Sequence, residues 1–185
     1  MQEEELIAKL LRGEESAYAY CISAYQDKIF RLCLGFLHNC EDAEDICQEV
    51  FIELFNSIEG FQKNSSVSTW LYRIAINKSI NQQKKNKRQR LLTQILGSFA
   101  PGHAGKENTD KKVEHKEVSG ALFAALNKLP ENQKIAYTLA KYDDLSYEEI
   151  AGVMGLSLSS VESLMFRAKE NLKKLLLSYY ENNFK

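Results

Sequence analysis

The sequence predicts an all-α protein: two helical domains joined by a flexible linker. Three observations predict it. Apolar residues recur at three- and four-residue spacing along nearly the whole chain. Strand signals are almost absent, with no sustained alternation and no Asn-Gly or Asp-Gly turn between β-branched runs. Residues 97–111 (GSFAPGHAGKENTDK) gather three of the nine glycines and one of the two prolines among polar residues, which is linker composition. The boundaries follow as a first domain over 1–92, a linker over 93–112 and a second domain over 113–185.

In the first domain, a short helix over 3–12 ends at Gly13. A long helical stretch covers 15–38, with a possible break near Tyr25–Asp27. Asn39 can cap a helix that starts at Cys40, with Asp42 three residues on, and runs to about Ser57. A loop from Gly60 to Ser66 leads to a helix from near Ser68 to about Arg90. The second domain opens with a helix from near Val113 to Lys128, stopped by Leu129–Pro130. Helices over 131–142, 147–154 and 158 to about 180 follow.

Composition narrows the function classes. Hydrophobic residues at 44% and charged residues at 26% are ordinary for a folded domain. No apolar run approaches the ~18–20 residues of a membrane span, and residues 1–12 lack the build of a signal peptide. A soluble, cytoplasmic protein with no membrane insertion is expected. Cys21, Cys33, Cys40 and Cys47 contain no CxxC pair, so reduced thiols packed as small apolar groups are expected, with no metal site and no cofactor. No P-loop, nucleotide-binding glycine triplet, HExxH or zinc-deaminase pattern occurs, and an enzyme is not expected.

The net charge of −1 hides a sharp segregation. Residues 1–60 carry four basic side chains (Lys9, Arg12, Lys28, Arg31) against thirteen acidic ones, whereas residues 61–90 carry eight basic and none acidic. Separate surfaces for separate partners are implied, the acidic one for a basic protein and the basic one for nucleic acid.

The sharpest local motif is YEEIAGVMGLSLSSVESLMF, Tyr147 to Phe166. Ser146 with Glu149 makes a capping box, Ala151 is small where two helices cross, and Gly155 can take the positive φ of a tight turn. Ser157 can cap the second helix, and Val161 sits where a buried branched residue holds it. Ile150, Met154, Leu156 and Leu164 complete the expected apolar contacts. This is the spacing of a DNA-binding helix-turn-helix. Its second helix would offer Ser157, Ser159, Ser160, Glu162 and Ser163 to the major groove, with Arg167 and Lys169 near phosphates.

On the helix over 68–90, Trp70, Arg73, Asn77, Asn81, Lys84 and Arg88 share a stripe about 80° wide at about 100° per residue. Cations anchor phosphates, Asn bonds base edges, and an exposed ring stacks on an unpaired base. Trp70 is open to two readings, a core ring or a stacking platform. The loop before it (Phe61, Lys63, Asn64, Ser65, Ser66) carries no negative charge and can receive an extruded base, and Lys85 adds to the cationic tail. The helix over 41–57 has a core stripe of Ile46, Val50 and Leu54 flanked by Cys47, Phe51 and Phe55. Its opposite side carries Asp42, Asp45, Glu49, Ile52, Glu53 and Asn56, an acidic face with one apolar residue at its centre.

These segments, in this order, resemble the extracytoplasmic-function class of bacterial sigma factors, a branch of the sigma-70 family. The likeness covers residues 5–90 and 115–177. It rests on Asp42-Ala43-Glu44-Asp45 with Gln48-Glu49 and Phe51, and on Ser68 to Ala75 (STWLYRIA) with Asn77. The second half adds Leu126, Leu129-Pro130, Glu149-Ile150-Ala151, Gly155, Val161 and Arg167-Ala168-Lys169 before Leu172. The resemblance implies a sigma region 2 bundle and a sigma region 4 helix-turn-helix domain, and a factor that directs RNA polymerase to promoters. It implies that Asp42, Asp45, Gln48 and Glu49 bind a coiled coil of the core polymerase's largest subunit, beside Ile52 and Glu53. The stretch Phe61–Ser66 with Trp70–Arg88 would read the −10 element and capture an unstacked base. The helix-turn-helix would read the −35 element, the linker would thread near the active-site channel and RNA exit path, and an anti-sigma protein would hold the factor inactive. Two departures stand out. Glu162-Ser163-Leu164 stand after Val161 where the family commonly has a basic, a small and again a basic residue, and Asn81 replaces a common acid. A stand-alone helix-turn-helix regulator is the alternative; it would account for 147–166 and leave the acidic helix and the Trp70 segment without a role.

Overall fold

The computed structural model describes residues 2–61, 65–97 and 113–183. All regular elements among them are helical, as the sequence predicts. α1 (Glu3–Leu11) ends at Gly13, whose φ of +72° suits only a residue without a Cβ. α2 (Glu15–Leu37) runs unbroken through Tyr25–Asp27, the place where the sequence allows a break. Ala17, Cys21, Ile29, Leu32, Cys33 and Phe36 stay buried on one continuous face, and Gln26, Asp27 and Lys28 lie on the solvent side of the same helix. α3 (Cys40–Ser57) starts on Asn39, whose side chain accepts from the Asp42 amide at 2.8 Å. After a 3-10 turn at Ile58–Gly60 comes α4 (Val67–Gly97), where Ser66 Oγ accepts from the Thr69 amide at 3.1 Å. α4 continues past Arg90 to Gly97, so the cationic stretch extends as one rod into residues where the sequence pointed to linker.

α2, α3 and α4 pack into a bundle with α1 across one end. Leu6, Leu10, Leu32, Phe36, Val50, Leu54 and Leu71 are all 1% exposed or less. The second half comprises α5 (Val113–Lys128), α6 (Glu131–Tyr142), α7 (Tyr147–Met154) and α8 (Leu158–Asn183). A small cluster of Ala125, Leu126, Leu129, Ala168 and Leu172 joins α5 to α8. The rest of its core, Ile135, Leu139, Ile150, Val161 and Met165, is continuous with the core of the first bundle. The two halves therefore pack directly on one another.

Gly35 permits that approach: a Cβ there would stand 2.8 Å from Tyr142 Cγ and 3.0 Å from Thr138 Cγ2. Lys134 is 6% exposed beside it, donating to Gln83 Oε1 at 3.0 Å and Asn127 Oδ1 at 2.6 Å, with Nζ 5.7 Å from the Phe36 ring centroid. Burial pulls its ammonium from 10.5 down to about 8. The folded chain thus holds this proton less tightly than the unfolded chain. Its contribution is fully present above pH 10.5 and lost as pH falls through about 8. Denaturant titrations of wild type and Lys134→Met across that window should show wild type gaining stability relative to the variant as pH rises, by about 3 kcal/mol. The variant serves as the reference because it shares the tyrosines and thiols that titrate in the same range. A pH-independent difference would contradict the burial of this charge.

Candidate nucleic-acid interface

The helix-turn-helix forms as its caps dictate. Ser146 and Glu149 exchange both bonds of the capping box, at 3.2 and 2.8 Å. Gly155 closes α7 at φ +66°, and the Leu156 amide bonds back to Ala151 O at 3.0 Å. α7 and α8 then diverge by 103°, inside the range of DNA-reading helix pairs. Ser157 Oγ accepts from the Ser160 amide at 3.3 Å and caps α8. Val161 is 0% exposed and Ala151 9%. Leu156, expected among the packed residues, is 37% exposed, because the turn after Gly155 carries it off the helix-helix contact.

Along α8, Ser157, Ser159, Glu162, Ser163, Arg167 and Lys169 are exposed and Ser160 is half-buried. Arg167 Nε bonds to Ser163 O at 3.1 Å, which lays the guanidinium along the helix. Phe166, which is not among the residues the sequence predicts at the groove, is 69% exposed and lines a shallow recess with Glu162, Ser163 and Arg167. The signal was present: an aromatic four residues after Glu162 falls on the polar face.

On α4 the stripe divides. Trp70 is half-buried, neither core nor free, with its ring centroid 5.0 Å from that of Phe61. Phe61 itself is only 8% exposed, so it backs the Trp70 ring instead of presenting a face of its own, which corrects its expected place among DNA contacts. Ser65 is half-buried, and Ser66, also half-buried, is engaged as the cap of α4. Lys63 and Asn64 lie outside the described residues. Asn77, Asn81, Lys84, Lys85 and Arg88 are exposed. Lys84 approaches Glu131 at 3.4 Å, while Asn81, Lys85 and Arg88 share a shallow recess with it. Arg73 turns away from solvent, its Nε 2.9 Å from Val153 O and its Nη2 2.8 Å from Gly152 O, both on α7.

The acidic face of α3 is narrower than its sequence suggests. Asp42 accepts from Gln82 Nε2 at 3.1 Å and Asn86 Nδ2 at 2.8 Å, which ties α3 to α4. Lys78 reaches Glu49 at 3.1 Å and Glu53 at 3.8 Å. Asp45, Gln48 and Glu49 stand exposed beside Ile52, which is 58% exposed. Phe55, expected to flank the core, is instead 60% exposed, because it falls beyond the edge of the buried stripe and packs on Tyr18, centroids 5.2 Å apart. It widens the apolar part of this face.

Cys21, Cys33 and Cys47 are buried and Cys40 is exposed. Burial pushes the three buried thiols up, Cys33 to about 12 and the others to about 11, which holds them protonated and unreactive at neutral pH. Among the described residues, no three His, Cys, Asp or Glu side chains are placed to hold a metal ion. No single helix among them is long and apolar enough to cross a membrane.

Comparison with known proteins accounts for both halves. Residues 21–89 match the model of sigma-70 region 2, and residues 119–172 match that of sigma-70 region 4. The RNA polymerase sigma-H factor of Pseudomonas aeruginosa is 33% identical, over 95% of this chain and 94% of its own. The ECF RNA polymerase sigma factor SigW of Bacillus subtilis is 32% identical over 95% and 97%. Among solved structures, CnrH in complex with the cytosolic domain of CnrY shares the fold at a TM-score of 0.69 and 20% identity, covering 95% of this chain and 97% of CnrH. The sigma factor RpoE of Bartonella quintana, solved with the anti-sigma factor NepR, does so at 0.58 and 22%, covering 86% and 96%. The chain belongs to the sigma-70 family, as an extracytoplasmic-function RNA polymerase sigma factor. It is a transcription initiation factor and not an enzyme.

Proposed function

We propose that three faces divide the work of initiation. Asp45, Gln48, Glu49, Ile52 and Glu53 on α3, widened by Phe55, grip a basic helical surface of core polymerase, with Asp42 as the brace that holds α3 to α4. Trp70 and the exposed row Asn77, Asn81, Lys84, Lys85 and Arg88 on α4, with the loop at Lys63 to Ser66, read and melt the −10 element. Ser157, Ser159, Ser160, Glu162, Ser163, Arg167 and Lys169 on α8 read the −35 element as a duplex.

The observation that carries this reading is the half-buried Trp70 braced by the Phe61 ring at the head of an acid-free cationic helix. A half-exposed ring braced by a neighbouring aromatic offers a stacking surface to an unpaired base with little ordering cost. Permanganate footprinting of polymerase open complexes on a cognate promoter tests it. Trp70→Ala should keep core binding but lower the melted fraction by about 5- to 100-fold, the equivalent of the ~1–3 kcal/mol that one base–aromatic stack contributes. Lys85→Ala with Arg88→Ala should act differently, reducing the slope of log affinity against log salt by up to about 2. Undiminished melting with Trp70→Ala would reject the stacking role. A stand-alone operator-binding regulator would bind its duplex without polymerase and be indifferent to changes on α3.

An inhibitory protein partner has a matching site. A groove of about 640 Å³ runs between the two halves, with Phe36, Leu37 and Phe123 among its apolar walls and Lys84, Lys87 and Arg90 on its rim. An apolar floor under a cationic rim fits an acidic amphipathic helix of an anti-sigma protein. CnrH and the Bartonella RpoE were each solved with a protein partner, the latter an anti-sigma factor.

A further inference from the structure

The first turn of α4 carries Trp70 and takes a hydrogen-bond acceptor from far away in the chain. Val67 is the first helical residue, so its amide has no partner within the helix. Glu3, in the first turn of α1, supplies one: its Oε1 accepts from the Val67 amide at 2.6 Å, across 64 positions of sequence. The bond is short and charge-assisted, and it sets a carboxylate at the positive pole of the α4 dipole. Residues 61–90 contain no acid, so that charge has to come from another element. Ser66 does the rest of the capping. Its Oγ accepts from the Thr69 amide at 3.1 Å and lies 2.8 Å from Ser68 Oγ and 2.9 Å from Thr69 Oγ1, which leaves the Val67 amide to Glu3. Buried Leu6, Ile7 and Leu10 anchor α1 and so hold the carboxylate in place. Trp70 stands three residues beyond Val67 on the same side of the helix, and its own amide bonds back to Ser66 O at 3.0 Å.

We propose that Glu3 is a positioning residue for base capture: by fixing the first turn of α4 it fixes the direction of the Trp70 ring. The proposal rests on the reading of Trp70 as the stacking platform. Helix ends fray, and a ring in the first turn follows the backbone beneath it. The Phe61 ring braces Trp70 from one side, with centroids 5.0 Å apart, but Phe61 belongs to the chain before the loop and does not set where α4 begins. Glu3 does that from a helix of its own. A turn held before the strand arrives spares the cost of ordering it on binding. Glu3 touches no base and acts through the Val67 backbone. The docking face on α3 and the row on α8 stand on other elements, so its loss should be read in promoter melting alone.

The test uses the full chain, alone and with core polymerase. Trp70 is the only tryptophan, so intrinsic tryptophan emission from the free chain reports on this turn. Glu3→Ala removes acceptor and charge together, and Glu3→Gln keeps an acceptor oxygen. Glu5→Ala is the control, since it removes a neighbouring first-turn acid that pairs instead with Lys9 at 2.7 Å. In the free chain, Glu3→Ala should red-shift the emission and make it more readily quenched by acrylamide. In open complexes it should lower permanganate reactivity at the −10 element about fivefold, the size of effect seen when a helix cap is replaced by Ala. Core binding and duplex binding should not change. Glu3→Gln should recover most of both signals, and Glu5→Ala should match wild type. Emission and quenching unmoved by Glu3→Ala overturn the brace. So does an equal change in Glu5→Ala, because the stability of α1 alone would then be what is read. Emission that moves while melting holds overturns the positioning role if Trp70→Ala still lowers melting. If Trp70→Ala also leaves melting intact, the stacking platform falls and the positioning role with it, while the emission data still stand for the Glu3–Val67 contact. Should Glu3→Ala fail to fold by circular dichroism, Glu3→Asp, whose shorter side chain withdraws the acceptor, carries the comparison.

Discussion

Asp45→Lys combined with Glu49→Lys should remove promoter-specific run-off transcripts from reactions that contain core polymerase. The variant is expected to weaken core binding on the order of 100-fold, since each reversal turns an attraction across the interface into a repulsion of about 1–2 kcal/mol or more. The chain itself should remain folded. Both residues are exposed, and the Glu49–Lys78 pair at 3.1 Å is a surface pair, worth at most about 1 kcal/mol. A thermal melt within a few degrees of wild type, together with lost transcripts, separates docking from folding. Transcripts that persist undiminished would reject α3 as the docking face. Asp42 is the wrong residue for this experiment, because its carboxylate holds Gln82 and Asn86 and its reversal would disturb the bundle.

Val161→Asp should have the largest structural effect. Val161 is 0% exposed and belongs to the apolar cluster that holds α7 and α8 together. Burying it costs upwards of about 4 kcal/mol, enough to melt a small helical half. Duplex binding should disappear. Calorimetry should show a lowered melting temperature, with the second half unfolding first and the α2–α4 bundle losing the part of its core that it shares with that half. Val161→Ala, which only shortens the side chain, should cost about 1–2 kcal/mol and keep duplex binding. A Val161→Asp protein with native melting and native duplex affinity would show that the two helices are not held as described.

Much of this was legible in the chain because local rules agreed with the tertiary result. Asn39, Ser146 with Glu149, and Gly155 each carry a capping or turn geometry that needs nothing from elsewhere, and each is realised in the structure. The buried stripes of α3 and α7–α8 follow from 3.6-residue periodicity. The misses share a cause. Phe55 and Leu156 are apolar, and periodicity alone predicts both in the interior, yet each falls at the margin of its helix's buried arc, where only the neighbouring element decides exposure. Phe61 reads as a surface residue in the chain and is a buried support in the fold, against the half-buried Trp70 ring. Phe166 is 69% exposed because its position on α8 falls on the polar face among the serines.

Amino-acid order alone established the helical class, the helix starts, the separation of negative and positive charge between α3 and α4, and the family. Those properties are local or additive, set by caps, turns and the period of apolar residues. Which charged groups remain available was decided only by tertiary packing. Arg73 and Arg88 look alike on a helical wheel, but α7 places its carbonyls against the first and leaves the second in solvent. Likewise Asp42 and Asp45 read as equals in the chain, and the side chains of Gln82 and Asn86 claim one of them. A donor or acceptor is free only when nothing folded beside it offers a better partner than water, and that is a property of the neighbours, not of the residue.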